Sequence, residues 1–380
     1  MMRLAVLTTG RQDWGILRSL CMLLRDDPAF DLRLLVGGMH CSARFGRTRD
    51  LIVEEGFTCH EVLPWIPDDG VPPAHVQAGR AVELVGDALR RQAPEALVLV
   101  GDRFETAAAA LAATVGGVPL VHLHGGEESE GSFDNALRHA VSKLSHLHLV
   151  SHPQHAARVL AMGEEPSTVH VVGAPGLDNL HRRDLANRRE LEEFLGAELQ
   201  PPIVLVTLHP ATLGHDPMTE AAVVCAAVRR VPATYVITMP NADPGNEAIR
   251  ASLASLAGPR CLVTEALGER RYWGLMSLAD AMLGNSSSAI IEAPVLGLPA
   301  VNVGVRQSGR LRGGNVLDAP ADGEAVTATL RRALMPAFRA RARATPSPFG
   351  DGHSAARILE ILRDWAPPSP PVKHFHGPLR

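Results

Sequence analysis

The densest run of residues able to do chemistry is His122-Leu123-His124-Gly125-Gly126-Glu127-Glu128-Ser129-Glu130-Gly131-Ser132-Phe133-Asp134-Asn135-Ala136-Leu137-Arg138-His139. Its carboxylates and imidazoles can serve as acid, base or metal ligands, and its glycines let backbone approach a ligand. A metal is the tempting reading. His122 and His124 are expected to alternate along a strand, both on one face with Leu123 opposite, yet no H-E-x-x-H or comparable spacing completes a ligand set. Asp134 with Arg138, and His139 with Lys143, stand four apart on the expected following helix, so part of this charge can serve only that helix. His139 and His146 read as structural.

A second concentration is Gly284-Asn285-Ser286-Ser287-Ser288, expected to join a strand to a helix that opens Ala289-Ile290-Ile291-Glu292. The unpaired N–H groups and positive dipole end of such a helix attract anions, and three hydroxyls add donors, which suits a diphosphate. A plain N-cap is as good a reading of the turn alone. Glu292 shifts the balance: six residues past Ser286, it lies roughly 9 Å further along a helix rising about 1.5 Å per residue, where it could reach the hydroxyls of a ribose attached to that diphosphate. The next loop carries Arg306, Arg310 and Arg312 among glycines, a pattern that suits bidentate phosphate contact or, alternatively, a solvated basic loop.

Other candidates sit at expected strand ends. Thr8-Thr9-Gly10-Arg11 follows the first strand without a G-x-G-x-x-G fingerprint, which leaves Arg11 as its polar anchor. Gly101-Asp102-Arg103 follows another strand, where open α/β sheets bind ligands, although Asp102 could equally cap the next helix. Pro210 and Pro240 stop two further strands and present His209 and Asn241 at their carboxyl edge. For Asn241 a turn role is equally open.

These positions need a scaffold, and the apolar runs describe one. Leu4 to Thr8, Leu32 to Val36, Ala96 to Val100, Pro119 to His122, His146 to Val150 and Val169 to Val172 are continuous rather than alternating, which marks parallel strands buried on both faces. The pattern restarts with Ile203 to Thr207, Thr234 to Thr238, Cys261 to Val263, Ala281 to Leu283 and Ala300 to Val303. The expectation is an α/β protein of two Rossmann-like, doubly wound domains. The first spans 1–173, with the boundary at Gly173-Ala174-Pro175-Gly176; the second, 174–352, carries the candidate diphosphate site at Gly284 to Ser288. An amphipathic helix from Ser354 to Trp365, within residues 353–366, precedes an extended Pro-rich tail at 367–380.

Bulk properties agree with that division. At 380 residues the chain exceeds what one core usually supports. Its 37 basic and 41 acidic residues are well mixed, with no footprint for nucleic acid or an anionic membrane. Five cysteines form no C-x-x-C pair, no segment reads as a secretory signal, and no apolar stretch is long enough to span a membrane, so a cytoplasmic location is expected.

Thr9-Gly10-Arg11, Gly38-Met39-His40-Cys41, Gly101-Asp102-Arg103-Phe104-Glu105, His124-Gly125-Gly126-Glu127 with Asp134 and Arg138-His139, His209-Pro210, Asn241-Ala242-Asp243, Gly284 to Ser288, Glu292, and Arg306-Gln307 with Gly309-Arg310 together resemble the hydrolysing UDP-N-acetylglucosamine 2-epimerases of sialic acid biosynthesis. The resemblance runs along most of the chain. It implies a glycosyltransferase-B-like fold, with the C-terminal helix returning to the first domain. It also implies that Arg11, Arg103, His209, Asn241, Ser286, Ser287, Glu292 and Arg306 hold UDP and the sugar, and that Asp102 and Asp134 act as acid and base. Part of the family has a catalytic glutamate where this chain has His124; the bacterial sialic and legionaminic acid enzymes resemble it more closely in having histidine there, so His124 or Glu127 is expected to assist. Non-hydrolysing relatives carry a glycine pair after the serine of the turn, whereas Ala289 and Ile290 follow Ser288 here. The implied reaction is elimination of UDP to a 2-acetamidoglycal followed by hydration, with no metal or cofactor and with the UDP-sugar as small-molecule partner. It gives N-acetylmannosamine from UDP-N-acetylglucosamine, or acts on a UDP-2,4-diacetamido-trideoxyhexose (UDP-N,N'-diacetylbacillosamine) as the close alternative. A retaining glycosyltransferase of the same architecture that uses a UDP-sugar is the rival reading of another class. A homo-oligomer, dimer or tetramer, is also implied.

Overall fold

Continuous apolar strands need cover on both faces, and the strands have it: Leu4 to Leu7, Ala96 to Val100 and Ile203 to Val206 are all buried. The computed structural model describes residues 1–130, 132–211, 216–240 and 245–377. Among them the chain divides into two units, Met1–Glu127, Asp134–Asn179 and Phe349–Arg380 forming the first, and Glu128–Phe133 and Leu180–Pro348 the second.

The first unit holds β1 (Met2–Thr8), β2 (Phe30–Gly37), β3 (Cys59–Leu63), β4 (Ala96–Val100), β5 (Leu120–Leu123), β6 (Leu147–Val150) and β7 (Val169–Val171), in the order β3-β2-β1-β4-β5-β6-β7. All of their pairings are parallel. Strand order reverses between β1 and β4, so the loops after these two strands, 8–11 and 101–103, flank the position where doubly wound sheets bind ligands. Strand β3 was not expected: Cys-His-Glu-Val-Leu mixes polar residues into a half-exposed edge strand, and an edge need not be apolar on both faces.

The boundary, expected at residue 173, compares with a division after Asn179. The 3-10 turn Pro175–His181 does not break the chain free at its start, because its residues through Asn179 are tied to the first unit. The Ala174 N–H donates to the Phe349 carbonyl, and Asn179 Nδ2 donates to the Gly15 carbonyl. Asp178 accepts from the N–H groups of Ser354 and Ala355, opening the helix Ser354–Asp364. That helix buries Ala355, Ile358, Leu359 and Leu362 in the first core beside Leu17, Leu20 and Leu24. The arm beyond it lies on the same unit. Lys373 donates to the Glu164 carboxylate and the Ser145 carbonyl, and the His376 N–H donates to the Gly163 carbonyl. Burial alone would raise the Glu164 carboxyl, but hydrogen bonds from His148, Lys143 and Lys373 outweigh it and hold the group at about 2.

The second unit repeats the plan with β8 (Ile203–Thr207), β9 (Thr234–Thr238), β10 (Cys261–Thr264), β11 (Ala281–Gly284), β12 (Ala300–Val303) and β13 (Val316–Ala319), all paired in parallel in the order β10-β9-β8-β11-β12-β13. Its core sets Val206, Ile237, Leu283 and Val303 against Val224, Val228 and Leu330 of the covering helices. Strand β13 was also unexpected; it is four residues long and follows a glycine pair that reads as loop. Here the reversal falls between β8 and β11, whose ends carry His209 and Asn285. Among the described residues no helix is long and apolar enough to cross a membrane.

Candidate active site

The candidate residues fall into two groups, one in each unit. In the first, Arg11 opens the helix Arg11–Asp26, with Gly10 as its N-cap in extended conformation. The turn is drawn tight by the Thr9 N–H and hydroxyl, which both donate to Asp13. Burial pushes the Asp13 carboxyl up to about 6 despite those bonds.

After β4 the chain turns at Gly101 and reaches Asp102. Asp102 is not the helix cap: the helix Phe104–Val115 takes Arg103 as N-cap, and that residue's guanidinium spans both oxygens of Glu105 at 3.2 Å. The Asp102 carboxylate instead accepts from the guanidinium of Arg138, which is almost wholly buried and also donates to the Glu127 carbonyl at 2.8 Å and Asn135 Oδ1 at 3.2 Å. Asp134 begins the helix Asp134–Leu144 that carries Arg138. The sequence thus reads Arg138 as partner of its own helix, but the structure also sends it across to the β4 loop.

His122 and His124 do not share a face, contrary to the strand expectation. Strand β5 ends at Leu123, and His124 has a φ of 64°, a left-handed conformation that breaks the alternation. His122 is locked inside: its Nε2 donates to the Gly101 carbonyl at 2.8 Å and Ser142 Oγ lies 3.1 Å from its Nδ1. Burial drives its pKa down to about 3, so it stays neutral and structural. His124 turns instead to Glu127, with Nδ1 to Oε1 at 2.6 Å. Gly126, with a φ of 74°, could not be replaced, because a Cβ there would collide with the His155 carbonyl oxygen. Among the described residues no group of three His, Cys, Asp or Glu stands so as to hold a metal ion.

In the second unit the serine turn differs from the expected helix start. The α-helix is one turn, Ser288–Ile291, and passes at Glu292 into the 3-10 turn Ala293–Leu296, where Pro294 lacks the N–H that a longer helix would use. A dipole of that length contributes little, and the Ser287 side chain makes no cap bond. What organises the turn is Asn285, which is fully buried. Its Oδ1 accepts from the His209 N–H at 2.7 Å, and its Nδ2 donates to the His209 carbonyl at 2.8 Å and to Glu220 at 3.0 Å. Its own carbonyl accepts from Gln307 at 2.8 Å and Arg306 at 3.2 Å. The Asn285 side chain therefore ties the ends of β8 and β11 together, and its backbone carbonyl holds the arginine-bearing loop. Gly284, with a φ of 135°, makes room for this, since a Cβ would strike the Thr207 carbonyl.

The hydroxyls form their own chain. Ser286 Oγ lies 2.7 Å from Ser288 Oγ, which lies 2.6 Å from the Tyr272 hydroxyl, and burial raises that phenol above its ordinary value. Arg312 braces its loop by donating to Asp318 and to the Gln307 and Arg310 carbonyls, which gives it a structural task that the basic-loop reading did not separate from phosphate contact. Asn241 lies outside the described residues.

Sequence reasoning missed Ser151, His155, Glu220 and Tyr272, and named Gln307 only as part of the resemblance. Ser151 had a signal: it stands at the carboxyl end of β6, where the rule that singled out Asp102 applies equally, and His155 follows it one helical turn later. Glu220, Gln307 and Tyr272 meet the turn only through tertiary packing.

A family model described as UDP-N-acetylglucosamine 2-epimerase matches residues 22–363. The chain is 33% identical over 371 residues to UDP-N,N'-diacetylbacillosamine 2-epimerase (hydrolyzing) of Legionella pneumophila, covering 96% of each chain. It is 30% identical over 318 residues to UDP-N-acetylglucosamine 2-epimerase of Neisseria meningitidis, covering 83% of each. The crystal structure of UDP-GlcNAc 2-epimerase from Neisseria meningitidis bound to UDP-GlcNAc superimposes with a TM-score of 0.80 at 17% identity, over 96% of this chain and all of that one. A Listeria monocytogenes relative gives 0.79 at 18% identity, over 96% of each. These two likenesses establish the glycosyltransferase-B-like fold.

Proposed function

The chain belongs to the UDP-N-acetylglucosamine 2-epimerase family, and we propose that within it the enzyme is of the hydrolysing kind, converting UDP-N-acetylglucosamine and water to N-acetylmannosamine and UDP. The observation that carries this reading is the 33% identity, along 96% of the chain, to a relative that is itself hydrolysing. Ala289 and Ile290 after Ser288 support it, since the expected mark of the non-hydrolysing branch is a glycine pair there.

In the first step a base takes the proton from C2 of the sugar while the bond from C1 to the diphosphate oxygen breaks, leaving a 2-acetamidoglycal and UDP. Water then adds its hydroxyl to C1, and a proton returns to C2 from the face that yields the manno product. Asp102, Asp134 and the His124–Glu127 pair supply the proton-transfer groups. Arg11, Arg103, His209, Asn241, Ser286, Ser287 and Arg306 hold the substrate and its departing diphosphate, and Glu292 takes the ribose. The chemistry needs no metal.

A second substrate reading has specific support. Two relatives at 33% and 31% identity act on N,N'-diacetylbacillosamine nucleotides, and the same acid, base and diphosphate groups would serve a UDP-2,4-diacetamido-trideoxyhexose. The test is to incubate the purified protein with each UDP-sugar and follow free UDP by chromatography. Release from UDP-N-acetylglucosamine is expected; release only from the diacetamido sugar would move the assignment to the second substrate. No UDP from either would end the hydrolysing reading.

A further inference from the structure

We propose that Ser151 and His155 are positioning residues that fix the His124–Glu127 pair in one proton arrangement, making His124 Nε2 the atom that carries the proton and Glu127 its orienter. The inference rests on the reading of the preceding section for its chemistry, but its hydrogen-bond logic is independent of it.

Glu127 Oε1, as a carboxylate oxygen, only accepts. Two groups stand at it, His124 Nδ1 at 2.6 Å and Ser151 Oγ at 2.8 Å. His124 must therefore carry its hydrogen on Nδ1. Ser151 has one hydroxyl hydrogen, and it is committed to Glu127. The contact between Ser151 Oγ and His155 Nδ1 at 2.9 Å must then be made by a hydrogen on that nitrogen. The four residues form one polarised chain, running from His155 through Ser151 to Glu127 and met there by His124.

A neutral histidine with its hydrogen on Nδ1 has a bare Nε2, and which nitrogen is bare is set by the bond the other makes. Among the described residues His124 Nε2 is buried and has no hydrogen-bond partner. It can take a proton, and once both nitrogens are protonated the imidazolium faces the Glu127 carboxylate, as in a histidine oriented by a buried acid. Glu127, its Oε1 held by two donors, is the orienting acid.

The surroundings hold the far end still. His155 is buried, its ring lies 6.4 Å from that of Phe349 at an interplanar angle of 29°, and its carbonyl closes on Gly126. Burial lowers its pKa to about 4, so it stays neutral and can keep the single hydrogen on Nδ1 that the chain needs. Arg158 donates to the Gly126 carbonyl and Arg138 to the Glu127 carbonyl, so the loop bearing the pair is pinned on both sides. The left-handed backbone of His124 is the strained element that these ties retain.

Two measurements test the proposal. In the two-bond 1H–15N spectrum of histidine-labelled protein at neutral pH, assigned with His124→Gln and His155→Gln, both rings should show the Nδ1–H tautomer, and the Nε2–H tautomer in either would overturn it. In kinetics, Ser151→Ala should lower kcat roughly ten- to a hundredfold with KM within about twofold, as a small misplacement of a proton-transfer group does. Ser151→Thr, which keeps the hydroxyl, should restore most of the rate, and in a His124→Gln background Ser151→Ala should cost nothing more. A loss in KM instead of kcat, an unchanged kcat, or an additive loss in the double variant would refute the chain. If the wild-type protein releases no UDP from either sugar, the proposed function falls, while the tautomer spectrum still decides this inference.

Discussion

Asp102→Asn should lower kcat for UDP release by roughly 10²- to 10⁴-fold, the usual contribution of a positioned acid or base, while UDP affinity stays within about threefold of wild type. The amide keeps the shape of the carboxylate but cannot take a proton from C2. It also removes the charge opposite Arg138, whose guanidinium is almost wholly buried, so some loss of stability is expected beside the kinetic one. That loss is limited because Arg138 retains its bonds to the Glu127 carbonyl and to Asn135. Calorimetric titration with UDP separates the two effects: retained binding with lost turnover places Asp102 in the chemistry. A variant that turns over at the wild-type rate would remove it from the mechanism, and one that neither binds nor turns over would mark it as structural.

Asn285→Ala should be the most damaging single change in the second unit. Truncation removes three buried hydrogen bonds, to the His209 N–H, the His209 carbonyl and Glu220. At about 1 kcal/mol for each bond lost, the loss is roughly 3 kcal/mol. That corresponds to a fall in Tm on the order of 10 °C. Because the Asn285 side chain holds His209, the same change should raise KM for the UDP-sugar about tenfold, equivalent to roughly 1.4 kcal/mol. Asn285→Asp keeps the acceptor for His209 but sets a carboxylate against Glu220, so it should rescue neither property. A lowered Tm with unchanged KM would confine Asn285 to the fold.

Much of the scaffold was legible because parallel strands covered on both faces leave a continuous apolar trace. Ala96 to Val100, Ile203 to Thr207, Thr234 to Thr238 and Ala300 to Val303 coincide with β4, β8, β9 and β12 at both ends. Strands β3 and β13 escaped for one reason. Each lies at a sheet edge, where one side is open and the sequence need not be apolar.

The site was legible where function coincides with a strand end. Asp102, His209 and the serine turn all follow strands beside a reversal of strand order, and position alone made them candidates. Their partners were not legible. Arg138 reads as an i+4 neighbour of Asp134, and only the folded chain turns it toward Asp102. Asn285 reads as one cap residue among several, and only the fold makes it the tie between two strand ends. The left-handed turn at His124 is invisible to periodicity, since an alternating pattern carries no record of the residue at which a strand stops.

The fate of the C2 hydrogen decides between elimination and any other route to free UDP. With the protein in D2O, supplied with whichever UDP-sugar it turns over, mass spectrometry and NMR of the products should show free UDP formed in equal amount to a free manno sugar bearing one deuterium at C2. An intact UDP-sugar as product, or a released sugar with its original hydrogen at C2, would contradict the proposed hydrolysing elimination.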